Sequence, residues 1–320
     1  MNESAFAAEL QIEVERFLEG GPSLLDQKIM ASTVRDLREA FSLLKQVEGR
    51  RKATIFGSAR TASHDPLYEQ TVRVAAELAA KDWMVITGAG PGIMEAGMVG
   101  AGRENSVGVS IRLPFENAAN EIIAGDEKHA ELKYFFTRKF ALTKASQAFI
   151  CMPGGFGTLD ELFELLTLTQ TGKGQPVPIV LLDVPGDTYW RQVEDFMNSQ
   201  MASRGLISPD DRALYFVTND ATAAAEEIFR FYSNFHSLRF VGNKLYIRLL
   251  KAPTAADVEN LNAGFAYLCT EGRIESADPH PAELRDLDHV ALPRLMLRFD
   301  KHAFGGLRLL IDAINRLSGD

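Results

Sequence analysis

The chain has 320 residues, 46% of them hydrophobic, a formal net charge of −9 and two cysteines. That length holds one large α/β domain plus a smaller appendage, and the apolar content supports a sizeable core and argues against disorder. The acidic balance excludes a protein that works by coating nucleic acid or an anionic membrane. Sparse cysteines (Cys151 and Cys269), no secretory-type N-terminus and no long apolar run predict a cytoplasmic protein with no membrane segment.

Residues 1–50 read as a helical extension broken at Gly20-Gly21-Pro22. Its second helix is expected from about Ser32, with Val34, Leu37, Ala40, Phe41 and Leu44 on one packing or dimerisation face. Arg50-Arg51-Lys52 reads as a solvated basic run ahead of a strand. An α/β body spans 51–235. It opens with strand 53–57, which ends in Gly57-Ser58-Ala59-Arg60. Asp65-Pro66 then starts a helix to about Ala80, with Asp as cap and Pro at the first turn. Strand 84–87 leads into Gly88-Ala89-Gly90-Pro91-Gly92 and a small-residue helix. Strand 107–111 and an irregular stretch containing Glu116 follow. A helix around Arg138 is expected to bury Phe136, Phe140 and Thr143, and strand 148–152 comes after it. Further strands are read at 178–182 and 214–217, with helices opening at Asp187 and near Ala221. Alternating strands and helices predict a doubly wound parallel sheet with helices on both faces, whose ligands bind beyond the carboxyl ends of the strands. From 243 to 320 the pattern becomes a small α+β module: strands at 244–249, 273–275 and 295–299, a helix with a Thr254/Asp257 capping box, and a last helix over 302–317.

The most informative run is Pro153-Gly154-Gly155-Phe156-Gly157-Thr158-Leu159-Asp160-Glu161. A strand enters it, and Leu159, Leu162, Phe163 and Leu166 continue at helical spacing. Glycines let the backbone approach a ligand, and the free N–H groups of a helix's first turn attract anions. Thr158 adds a hydroxyl, and Glu161 places a carboxylate beside the anion. A phosphate site with an acid beside it is what such a loop builds. Arg138 has the planar fork to pair with a phosphate or to orient Glu161.

Other chemistries fit less well. The Gly88–Gly92 loop is not a dinucleotide fingerprint, because Ile93 stands where GxGxxG needs its last glycine. No GxxxxGK[ST] and no GxSxG exists, and six scattered histidines show no metal-ligand spacing, so neither metal nor cofactor is expected. Cys151 reads as a buried core thiol. The Gly57-Ser58 loop serves either the turn alone or a phosphate or ribose.

Arg138-Lys139 followed by PGGxGTxxE resembles the LOG family, formerly labelled lysine decarboxylase, over about residues 53–220. The resemblance implies a Rossmann-like fold and a phosphoribohydrolase that frees the base from nucleoside 5′-monophosphates such as AMP or cytokinin ribotides. It implies Arg138 and Glu161 as catalytic, with Lys139 and the run from Pro153 through Gly154, Gly155, Phe156 and Gly157 to Thr158 as substrate-binding. It further suggests Glu116 for ribose or base, Thr167 for phosphate, Gly88 and Gly90 as one pocket wall and Met94 against the base. LOG-like proteins pair through the helix after the glycine loop, so a homodimer is the minimum expectation. The same sheet and loop occur in nucleotide sensors and molybdenum-cofactor carriers, which leaves a non-catalytic binding protein as the alternative.

Overall fold

The computed structural model describes residues 3–112 and 119–317. Two helices come first, α1 (Glu3–Glu19) and α2 (Leu24–Gln46). The body then runs β1 (Lys52–Phe56), α3 (Pro66–Ala80), β2 (Met84–Thr87), α4 (Ile93–Ala101), β3 (Ser106–Ile111), β4 (His129–Leu132), α5 (Phe135–Ala145), β5 (Ala148–Cys151), α6 (Phe156–Gln170), β6 (Ile179–Leu182), α7 (Tyr189–Phe196), β7 (Phe216–Thr218) and α8 (Ala221–Phe231). The remainder holds β8 (Phe235–Val241), β9 (Lys244–Leu249), α9 (Ala255–Phe265), β10 (Cys269–Ser276), α10 (Pro281–Asp286), β11 (Arg294–Phe299) and α11 (Phe304–Ile314).

The seven body strands form one parallel sheet in the order β4-β3-β2-β1-β5-β6-β7. The central strands are short, mostly apolar and buried along their whole length, as a sheet covered by helices on each side requires. The order runs outward from β1 in both directions. The switch point therefore lies between β1 and β5, with Thr54 level with Phe149. Chain emerging there from β1 and β5 carries Gly57 and Pro153-Gly154-Gly155. The predicted doubly wound sheet is the fold observed, with one more strand than the sequence revealed: β4, whose His-Ala-Glu-Leu has only two buried positions.

The second sheet is antiparallel, in the order β10-β11-β9-β8. Its first strand, β8, lies between the two stretches marked out from the sequence. One apolar cluster runs without a break from Ile55 and Val74 of the body through Phe231 and Phe235 to Leu297 and Ile314 of the module. The join is tight as well. A Cβ at Gly305 would lie 2.5 Å from the Asp210 carbonyl oxygen.

Two helical faces differ from expectation. α2 begins at Leu24, where Ser23 and Asp26 form a capping box, and it buries Asp36, Ala40 and Leu43 while Val34 and Phe41 stay exposed. α5 buries Thr137, Ala141, Leu142 and Ala145 and leaves Phe136 and Phe140 outside. In both, the packed face mixes small side chains with one leucine, and the aromatic rings Phe41, Phe136 and Phe140 point away. At the sixth loop, α7 starts at Tyr189, two residues beyond Asp187, whose carboxylate accepts from the Thr188 and Tyr189 amides. β7 is shorter than read, because Leu214 belongs to a preceding 3₁₀ turn.

Candidate active site

A cleft of about 860 Å³ opens at the carboxyl end of the sheet, over the switch point. Its walls come from the chain after β1 (Gly57, Ser58, Ala59, Arg60), from Gly88 and Met94, from Phe135 and Arg138 of α5, and from the segment Gly154–Glu161.

The loops are interlocked. The Ile93 amide donates to the Ser58 carbonyl at 3.0 Å, and a Cβ at Gly57 would meet Ile93 Cγ2 at 2.5 Å. A Cβ at Gly88 would overlap the Arg138 guanidinium, so glycine is what admits arginine to the floor. Ala89, between them, is held at φ 58, a conformation that costs an L-residue energy and that the Thr87 hydroxyl steadies by accepting from its amide at 3.1 Å.

On the opposite wall Gly155 caps α6 with extended backbone. Its carbonyl accepts from Thr158 and Leu159, leaving the Phe156 and Gly157 amides at the helix start without intrahelical acceptors. Side-chain atoms at Gly154 would overlap Thr158, and its carbonyl is fixed by the Tyr189 hydroxyl at 2.7 Å. Amides of a helix start facing a cleft make an anion site. Phe156 stands at the rim, 94% exposed.

Arg138 and Glu161 face each other across this space. Arg138 Nε donates to the Val109 carbonyl at 3.0 Å, which orients the guanidinium and leaves its Nη groups toward Gly88 and the cleft. Burial lowers the Arg138 pKa, and Glu161 pulls it back up. Burial also raises the Glu161 carboxyl to about 7, against the opposing pull of Lys139 and Arg138 and with the help of Glu164 and Asp160. Among the described residues the Glu161 carboxylate takes no hydrogen bond and no ion pair. A desolvated, unpartnered carboxyl at the wall of a cleft costs stability and makes Glu161 a candidate functional group.

α5 itself is anchored from outside the sheet. Its N-terminal residue Tyr134 offers no side-chain cap. Asp36 of α2 does the work instead, accepting from the Lys133 and Tyr134 amides at 3.0 Å each and from the Thr137 hydroxyl at 2.7 Å.

Of the residues singled out from the sequence, the cleft gathers Gly57, Ser58, Gly88, Met94, Arg138, Gly154, Gly155, Phe156, Gly157, Thr158 and Glu161. Gly90 stands behind Met94, and Pro153 is buried beneath the loop. Lys139 is turned away, paired with Asp160 and Glu164 at 2.8 Å each. Burial works against its charge, but those two bonds raise its pKa overall. Thr167 lies outside the cleft. Its hydroxyl donates to the Phe163 carbonyl at 2.7 Å, one turn further along α6. Glu116 falls outside the described residues. Cys151 is fully buried beneath the site with its pKa pushed up by burial, as a core thiol. Sequence reasoning passed over Arg60, Phe135 and Tyr189. Arg60 closes the Gly57-Ser58-Ala59 run and was within reach of the same logic. Tyr189 arrives from 35 residues beyond Gly154, and nothing local marks it. Among the described residues no group of three or more His, Cys, Asp or Glu is placed to hold a metal ion. No helix among them is long and apolar enough to cross a membrane.

Fold and cleft define an α/β protein with a parallel, doubly wound sheet and a glycine loop at its switch point. Residues 91–228 match a family model described as "possible lysine decarboxylase". Cytokinin riboside 5′-monophosphate phosphoribohydrolase LOG3 of Arabidopsis thaliana is 40% identical over 77 residues, 24% of this chain and 34% of that protein. The phosphoribohydrolase of the same name from Mycobacterium tuberculosis is 29% identical over 159 residues, 47% of this chain and 79% of its own. The chain spans about a third of the length of the plant relatives it matches at 40% identity. Similar solved structures include the molybdenum cofactor carrier protein of Chlamydomonas reinhardtii, 19% identical with a TM-score of 0.40, covering 57% of this chain and 97% of that one. The resemblance to the LOG family read from Arg138-Lys139 and PGGxGTxxE is thus borne out by the family model and by these relatives.

Proposed function

We propose that the protein is a nucleoside 5′-monophosphate phosphoribohydrolase. The observation that carries this reading is the placement of a desolvated, unpartnered Glu161 in one cleft with Arg138 and the open amides of α6. The 5′-phosphate sits on the Phe156 and Gly157 amides and the Thr158 hydroxyl, with the Arg138 Nη groups completing its charge balance. The ribose then lies against Glu161. As the bond from C1′ to the base nitrogen lengthens, positive charge grows on the sugar ring, and the ionised carboxylate stabilises it. Water adds its oxygen to C1′ with Glu161 as base, the departing nitrogen gains a proton, and the products are free base and ribose 5-phosphate. Met94 and Phe135 supply apolar surface for the base, and Ser58 supplies a hydroxyl near the sugar.

The working unit is a homodimer. Phe135, Phe136 and Phe140 of α5 are all more than 45% exposed, and Phe140 meets Phe41 of α2 edge-on at 6.1 Å. Phe135 and the exposed Phe156 also line the cleft, so exposed apolar rings stand beside it, the kind of surface that pairing covers. Light scattering at micromolar concentration should give at least twice 35.3 kDa. A monomer mass would remove the dimer.

Incubation of the purified protein with AMP, GMP, CMP and UMP tests the activity, with free base and ribose 5-phosphate as readout. Release of base from at least one of them is expected. Saturable nucleotide binding with no base released from any would overturn the hydrolase reading and favour a carrier or sensor.

A further inference from the structure

The opposite end of the sheet holds a second cleft, of about 740 Å³, where the end of α2, the entry to β1, the end of α5 and the C-terminal module meet. Its walls are strongly basic in a chain whose net charge is −9. The run Arg50-Arg51-Lys52, expected to be a solvated face, is instead folded into it, and Lys52 is buried.

These cations are held in place largely without carboxylates. Arg51 lies over the Tyr232 ring at 4.0 Å and the Trp83 ring at 5.8 Å. Lys52 Nζ donates to the Val47 and Arg50 carbonyls, at 2.7 and 2.5 Å. Arg50 alone has an ion pair, to the exposed Asp82 at 2.8 Å, and its Nε is buried without a partner. Lys45 and Lys144 reach the rim with no ion pair among the described residues. The only carboxylate lining the cleft is that of Glu48. Burial depresses the pKa of both Arg51 and Lys52; Arg50 lowers that of Lys52 further, while Glu48 opposes it. The module contributes His236 and His289, rings edge-on at 4.4 Å, with His289 held at φ 50.

We propose that this cleft binds a small oligophosphate, a ligand with several phosphate groups. Four cations without an ion pair among the described residues (Lys45, Arg51, Lys52 and Lys144), with Arg50 beside them and Glu48 as the lining carboxylate, exceed what a single phosphate neutralises, and the volume suits a small molecule. The acidic character of the rest of the chain disfavours a nucleic-acid backbone as the occupant. Such a ligand ties the N-terminal extension, the sheet and the module together at the end remote from Glu161.

Calorimetric titration of the full chain with inorganic tripolyphosphate tests this. Saturable binding is expected, weakened about tenfold or more by combined Lys45→Glu and Lys144→Glu, both at exposed positions, and retained in Arg138→Gln. Thermal melts of each variant establish that it is folded. The proposal is overturned by absent binding, by binding indifferent to the two charge reversals, or by binding lost only with Arg138→Gln, which would place the anion in the other cleft. Tighter binding of a single-stranded oligonucleotide than of tripolyphosphate would also overturn it and point to nucleic acid.

Discussion

The two ends of the parallel sheet are built for negative charge in different ways. At the carboxyl end, many of the polar groups are backbone: amides at the start of α6 and glycines that let them approach, joined by Arg138, steered by the Val109 carbonyl, and by Arg60 in the loop after β1. At the amino end the positive charge is carried by long side chains, and no glycine loop or long helix start faces the cavity. Only the carboxyl end adds a carboxyl group raised to about 7. Fixed dipoles hold one geometry and suit a reaction, whereas flexible cations tolerate many poses and suit binding alone.

The sharpest way to break this contrast is Glu161→Gln. It preserves shape and removes the charge, so base release should fall about 100-fold or more while nucleotide binding persists. Activity within a few-fold of the parent would leave the carboxyl end as merely another binding site. Next in size is Arg138→Lys. A lysine's donors all radiate from one nitrogen, so it cannot bond the Val109 carbonyl from one atom while separate nitrogens of a planar fork face the cleft, and kcat/KM should drop roughly ten- to hundredfold despite the conserved charge. An unchanged value would mean that the fork geometry is irrelevant.

The pH dependence comes third. If ionised Glu161 is the working form, kcat/KM should rise with pH up to about 7, losing roughly tenfold per unit below it, and level off above. Phosphate ionisation near pH 6 adds its own limb, so the control is the residual activity of Glu161→Gln, which should lack the limb near 7. Stability runs the other way. A carboxyl whose folded pKa is raised favours the fold fully below the ordinary glutamate range, and that contribution is lost as pH climbs through 7. Thermal melts of parent and Glu161→Gln between pH 5 and 8 should therefore converge at low pH and diverge at high pH, with the glutamine variant the more stable. The smallest expected effect is that of salt. Raising ionic strength from 50 to 200 mM should weaken tripolyphosphate at the amino-end cleft several-fold more than AMP at the glycine loop, because exposed side-chain charges are screened more than partly buried ones. Equal slopes would erase the distinction.

Much of the carboxyl end was legible in the sequence because its parts are local. A strand, three glycines, Thr158 and Glu161 follow one another directly along the chain, and at Gly154 a Cβ would overlap Thr158. Parts brought from far away were not legible. Tyr189 reaches Gly154 through tertiary folding, and β4 and β8 carry weak alternation that reads as loop. The face of α5, and part of that of α2, were misread for a different reason. Counting large apolar residues finds a face that is sticky, and in these helices the sticky face points away from the sheet while alanines, Leu43, Leu142 and a buried aspartate face it. Arg50-Arg51-Lys52 misled in the same way, since charge in a sequence suggests solvent unless rings and carbonyls wait to receive it.

Asp36 carries one more consequence. A single carboxylate from α2 gathers three donors at the head of the helix that bears Arg138. The arginine's position is thus set partly by a segment that never touches the cleft, and the N-terminal extension acts as a tether on the reaction geometry. Whatever pries α2 away leaves the Lys133 and Tyr134 amides unpaired and one guanidinium adrift, so the body alone, with all its cleft residues present, would keep its pocket and lose its aim.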